Sequence, residues 1–164
     1  HILSYNTMGD NHMSARLILP KRVPIAKRED LEPFRYTCSV IFKREEDQYL
    51  FGPILIANVR DRQGDIYDDR EVEKAAWRFA RNGFVADYMH KMQLGPKDAA
   101  FVESFVYRPD VFGGPLTIAK RTYATTTWFG GSIVGDEIWK QVKEGKINGY
   151  SITGYAKKIA EAEE

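Results

Sequence analysis

The stretch Lys146-Ile147-Asn148-Gly149-Tyr150-Ser151-Ile152-Thr153-Gly154-Tyr155 alternates with a period of two, and that alternation demands an extended strand. Tyr150 and Ile152 would face one side, with Gly149, Ser151 and Thr153 on the other. A strand with one bulky and one nearly bare face must lay the bulky side on a core. Glycine inside a strand marks a close approach by another backbone or a ligand, so the bare side is open to one or the other. The chain therefore needs a β-rich fold, and the glycine-flanked hydroxyl of Ser151 is its first candidate nucleophile.

The rest of the chain supplies partners for such a strand. Arg35 to Lys43 reads as a strand, joined through the polar turn Glu45-Glu46-Asp47-Gln48 to Tyr49 to Val59, a hairpin whose second arm carries a bulge or edge position at Gly52-Pro53. After the turn-rich Asp61 to Asp65, Asp68 and Glu71 have capping-box spacing, Val72, Ala75, Ala76 and Phe79 share one face, and Gly83 is a stop. These predict a helix over 69–82. Phe84 to His90 reads as a strand, and so does Phe101 to Tyr107, with Phe101, Glu103, Phe105 and Tyr107 set against Val102, Ser104 and Val106. Leu116 to Val134 favours strands, and Asp136 is expected to cap a short helix burying Ile138, Trp139 and Val142 and ending at Gly145. The expected class is α+β, mainly β: a small β-barrel or curled sheet flanked by two or more helices. Residues 1–30 read as an extended or flexible arm, 31–159 as the barrel domain and 160–164 as a tail.

Composition limits what this fold could do. A chain of 164 residues with a formal net charge of +1 has the size of one domain and lacks the basic footprint of a phosphate-backbone binder, so nucleic acid is not an expected partner. Cys38 stands alone, cannot form an internal disulfide, and fits a reducing compartment as a buried thiol. No apolar run approaches a membrane span, so no membrane partner is expected either. Asp61, Asp65, Asp68 and Asp69 surround a turn without calcium-loop spacing, and neither metal nor cofactor is expected.

A serine hydroxyl needs a base within hydrogen-bond reach. Of the three histidines, His1 and His12 fall in the arm, which singles out His90 at the end of a strand-like run. Ser104 alternates with Val102 and Val106 as a residue facing a packed layer, and Ser132 reads as a turn serine after Gly130-Gly131; Ser151 is preferred to both.

Several segments occur in an order that resembles a known family: Asn58-Val59-Arg60-Asp61-Arg62-Gln63-Gly64-Asp65, the helix Glu71 to Phe79, Asp87-Tyr88-Met89-His90, Val102-Glu103-Ser104-Phe105, Val134-Gly135-Asp136-Glu137-Ile138-Trp139 and Gly149-Tyr150-Ser151-Ile152-Thr153-Gly154. Together they resemble the phage prohead proteases, a phage serine protease family related to the capsid-maturation proteases and the herpesvirus assemblin fold. The resemblance implies an assemblin-like serine endopeptidase that cleaves scaffold or capsid proteins, and itself, during phage head maturation. Its place would be the host cytoplasm, within the assembling prohead, with capsid or scaffold proteins as substrates and a homodimer as its assembly. Carried over residue by residue, the pair is His90 and Ser151.

Related proteases complete a triad with an acidic residue or second histidine well after the serine. Here Ala160-Glu161-Ala162-Glu163-Glu164 reads as a solvated end, so the third member is expected beyond Glu164. Inside the chain Glu103 and Asp87 are the nearest acids; Asp87 alternates opposite to His90, and Glu103 is the candidate on a separate strand. A dyad is the third option. The alternative to an enzyme is a catalytically silent structural or assembly component of a viral capsid that keeps the protease fold.

Overall fold

The computed structural model describes residues 32–61, 64–84, 87–88 and 92–156. The expected arm over 1–30 and tail over 160–164 lie outside the described residues. In chain order the elements are β1 (Glu32–Ser39), β2 (Phe42–Arg44), β3 (Tyr49–Ile56), α1 (Asp69–Arg81), β4 (Asp87–Tyr88), β5 (Met92–Gln93) and β6 (Ala99–Tyr107). They continue with α2 (Pro109–Phe112), β7 (Leu116–Ile118), β8 (Arg121–Tyr123), β9 (Thr127–Val134), α3 (Asp136–Lys143) and β10 (Gly149–Ala156).

A four-stranded antiparallel sheet in the order β2-β3-β9-β6 is the frame, and β1 and β10 form a separate antiparallel ladder. Among the described residues the fold is mainly β with three helices, in line with the expected α+β class, but the strands form open sheets and not a closed barrel. The physical reason lies in β9. Trp128 and Phe129 are adjacent, so they point to opposite faces, and both are fully buried. On the Trp128 face, Tyr36 and Cys38 of β1, Tyr150 and Ile152 of β10, and Val72, Ala76 and Phe79 of α1 pack over Leu55 and Val106. On the Phe129 face, Tyr107, Tyr123, Phe51, Leu116 and Ile118 form a second cluster under the β7–β8 hairpin. A sheet covered on both sides in this way is buried as a sandwich layer and need not close on itself.

Local sequence explains most element ends. Asp68 accepts a hydrogen bond from the Glu71 N–H at 2.7 Å and starts α1, a cap that contributes about 1 kcal/mol. Gly83, at φ +81°, stops it, and Phe84, at φ +55°, is bonded back to the Phe79 carbonyl, so the strand expected from Phe84 begins no earlier than Asp87 among the described residues. The expected bulge lies in β3, where the register shifts between Pro53 and Leu55, but β3 sits between β2 and β9 and not at the sheet's edge.

Two readings need correction. Gly135, not Asp136, occupies the cap of α3, because a Cβ at 135 would press on the Lys97 carbonyl; Asp136 stands in the first turn and accepts from Gln48 Nε2 at 2.6 Å. In β6 a bulge between Phe101 and Glu103 breaks the simple alternation: Phe101 pairs with Ser132 and Glu103 with Gly131, so these two side chains leave on opposite faces.

Candidate active site

Ser151 is held in place by the residues on either side of it. Tyr150 turns inward: its hydroxyl donates to the Leu50 carbonyl at 2.9 Å, shares a 2.9 Å hydrogen bond with Ser132 Oγ, and its ring packs on Phe101. Burial pushes the Tyr150 phenol up to about 12, so at neutral pH it is an uncharged clasp between β10 and the main sheet. Ile152 packs into the same core. The period of two then sends Ser151 outward, where it is exposed, as the bare-face reading expected.

Across the ladder Ser151 stands directly opposite Thr37, and Thr37 Oγ1 donates to Ser151 Oγ at 3.3 Å. The serine oxygen is thus an acceptor in the bond that ties β10 to β1. The neighbouring glycine has a structural explanation: a Cβ at Gly149 would collide with the Cys38 carbonyl of β1, so glycine is what lets the two strands lie this close. Cys38 itself is buried, and burial pushes its thiol up to about 11, away from reactivity.

The other sequence candidates are placed as follows. His90 lies outside the described residues; before and after it in sequence, β4 and β5 pair antiparallel, Asp87 with Gln93 and Tyr88 with Met92. Glu103 accepts a hydrogen bond from the Tyr49 hydroxyl at 2.6 Å and shares the sheet face of Gly131, opposite to the face on which Tyr150 meets Ser132. Glu103 and Ser151 therefore belong to different layers of the molecule. Ser104 accepts from Trp128 Nε1 at 3.0 Å but is itself exposed, not covered by a packed layer as expected. Ser132 is a correction. It is not a turn serine but a buried residue of central β9.

Of the acidic residues near the turn before α1, none stands free. Asp61 accepts from the Asp65 N–H at 2.9 Å, and Asp68 is the helix cap. Asp69 accepts from the Thr126 N–H and from Asn58, and hydrogen bonding by the Thr126 side chain above all, then by Asn58 and the Thr126 N–H, holds its carboxyl below the usual range.

Alongside the ladder runs a cleft of about 810 Å³, walled by residues 35–39 of β1 and 121–125 from β8 onward, with Pro53 and Ile56 beneath. Thr37 belongs both to this wall and to the hydrogen bond with Ser151, which puts the hydroxyl one strand's width from the cleft. No local pattern marks Thr37 as a partner, because the two residues are 114 positions apart and only the β1–β10 register joins them.

Residues 37–160 match the protein family described as "Putative phage serine protease XkdF". Among curated proteins, the chain is 31% identical over 144 residues to the "Uncharacterized protein YqbD" of Bacillus subtilis (strain 168), which covers 87% of this chain and 42% of that one. It is 32% identical over 114 residues to the "Phage-like element PBSX protein XkdF" of the same organism, covering 70% of this chain and 39% of the other. The chain thus spans less than half the length of the curated relatives it matches. No solved structure matches it, so the expected kinship with herpesvirus assemblin is carried by no structural likeness.

Proposed function

The chain belongs to the family described as "Putative phage serine protease XkdF", and on that footing we propose that it is a serine endopeptidase acting on capsid or scaffold proteins during phage head assembly. Ser151 is the nucleophile and His90 the base. The reading rests on one observation above the others: within the matched span, Ser151 is exposed and its oxygen is already accepting a hydrogen bond from Thr37.

In the reaction so assigned, Ser151 Oγ attacks a peptide carbonyl while its proton passes to His90, which returns it to the leaving amine. Thr37 Oγ1 remains donated to the serine oxygen as negative charge gathers there, and so lowers the cost of removing the proton. Glu103, the third member expected within the chain, stands in a different layer from Ser151, so its part in the site is the assignment to be tested first. Its bond to Tyr49 gives it a second, purely structural duty, and the two are separable by experiment.

The test is covalent capture. A fluorophosphonate added to the protein should label the peptide containing Ser151, and His90→Ala should reduce that labelling at least a hundredfold at neutral pH. Cleavage of a capsid or scaffold protein that continues unchanged in Ser151→Ala would refute the assignment. If Glu103 orients His90, Glu103→Gln shifts the pH profile of kcat; if it serves Tyr49 alone, only the melting temperature falls.

A further inference from the structure

Five consecutive residues of β1, Arg35 to Ser39, line the cleft. Tyr36 and Cys38 of that run are buried in the core, whereas Arg35, Thr37 and Ser39 are exposed on the other side. Because successive side chains leave a strand on opposite faces, a cavity that touches both sets runs along the strand's backbone edge. The facing wall has the same character: residues 121–125 are also consecutive and begin in β8. Among the described strands β1 pairs only with β10, and β8 only with β7. Two strand edges, each paired on one side, therefore border a common slot. Edges of this kind offer rows of N–H and C=O groups to an added strand.

Charge and one buried hydroxyl indicate what the added strand carries. Arg35, Arg60 and Arg121 line the slot against a single carboxylate, Asp61, which already accepts from the Asp65 N–H and the Tyr67 hydroxyl. Tyr123 also lines the slot and is 5% exposed, yet its hydroxyl has no hydrogen-bond partner among the described residues. Arg121 lies beside that hydroxyl, near enough for its charge to act on the phenol. A buried donor left unmade is costly, and a carboxylate entering next to Arg121 would accept from both groups.

We propose that the slot between β1 and β8 binds an extended peptide bearing acidic side chains, which adds as a strand to the edge of β1 and sets a carboxylate against Arg121 and Tyr123. The inference deepens the protease reading, since the bound segment would be the substrate held one strand away from Ser151, but binding itself does not require catalysis.

The experiment therefore uses the Ser151→Ala protein and fluorescence anisotropy. The probe is a labelled octapeptide of four Thr-Glu repeats, with a Thr-Lys repeat and an alternately N-methylated Thr-Glu repeat as controls. The Thr-Glu peptide should bind at least tenfold more tightly than Thr-Lys. Arg121→Gln should weaken it about tenfold and Tyr123→Phe about threefold, and N-methylation should abolish binding by removing the strand's donors. Arg35→Gln, at an exposed residue, supplies an independent variant if Arg121→Gln folds poorly, with an expected loss of about threefold. Equal binding of the acidic and basic peptides, indifference to N-methylation, or no binding at millimolar peptide overturns the proposal. Failure of Ser151 labelling with binding intact would count instead against the protease reading alone.

Discussion

Two serines in this chain follow glycines in β-strands and meet opposite fates. Ser132, after Gly130-Gly131, is buried in β9 and bonded to the Tyr150 hydroxyl; Ser151, two residues after Gly149, is exposed and bonded to Thr37. The difference is the strand's place. β9 is paired on both sides and covered on both faces, so its glycines are clearance for neighbours: a Cβ at Gly130 would meet Ile54 and Phe101, and one at Gly131 would meet the Tyr49 ring. β10 pairs with β1 alone among the described strands and turns only one face to the core, so its glycine is clearance for a strand and its serine is left outward. A glycine beside a serine is a sign of crowding first, and whether a site results depends on what covers the other face.

The comparison breaks most visibly in activity. Ser151→Ala should lower cleavage by about a thousandfold or more with an unchanged melting temperature, while Ser132→Ala should leave the nucleophile in place. Equal losses of activity in the two variants would mean that the buried serine belongs to the site. Next in size is Gly149→Ala. Its methyl group would strike the backbone carbonyl of Cys38, which cannot swing aside as the tip of Ile54 can beside Gly130. We expect a cost of about 2–3 kcal/mol and a loss of activity through the displaced ladder, measured by urea unfolding and peptide cleavage. Gly130→Ala should cost less, about 1–2 kcal/mol, and spare activity. Ser132→Ala should cost about 1 kcal/mol, since the Tyr150 hydroxyl keeps its bond to Leu50, and lower the melting temperature by about 2–4 °C.

This contrast also explains what could be read in the sequence. The helix over 69–81, the turn at Glu45–Gln48 and the outward face of Ser151 were legible because each depends on local chemistry: a cap, a turn, an alternation. The run Arg35 to Lys43, read as one hairpin arm, splits instead into β1, which pairs with β10, and β2, the only one of the two that pairs with β3. Ser132 was misread because Gly-Gly-Ser is turn chemistry locally, and only the packing of Ile54, Phe101 and Tyr49 requires glycines in mid-strand. The bulge that turns Glu103 away from Phe101 was hidden for a similar reason, since one extra residue leaves no mark in an alternating run. Thr37 and the slot beside β1 depend on pairing across 114 residues, which no local pattern encodes. His90, chosen by elimination among three histidines, lies outside the described residues.

The smallest expected effect concerns the residue that links the two serines. Tyr150 bonds Ser132 on one side and fixes the strand that carries Ser151 on the other, and burial raises its phenol from 10.0 to about 12. A raised acid pKa means that the folded state resists the charged form. The neutral clasp is therefore at full strength below about pH 10, where the unfolded chain would begin to ionise, and is lost as pH climbs through the folded value. Tyr36, Tyr49 and Tyr67 are raised further by burial and share this alkaline limb, so Tyr150→Phe should flatten the fall in stability between about pH 10 and 12 only in part. Urea midpoints for both proteins across that range would show it. Curves that stay parallel would place the Tyr150 hydroxyl in water and remove the clasp that distinguishes an inward Ser132 from an outward Ser151.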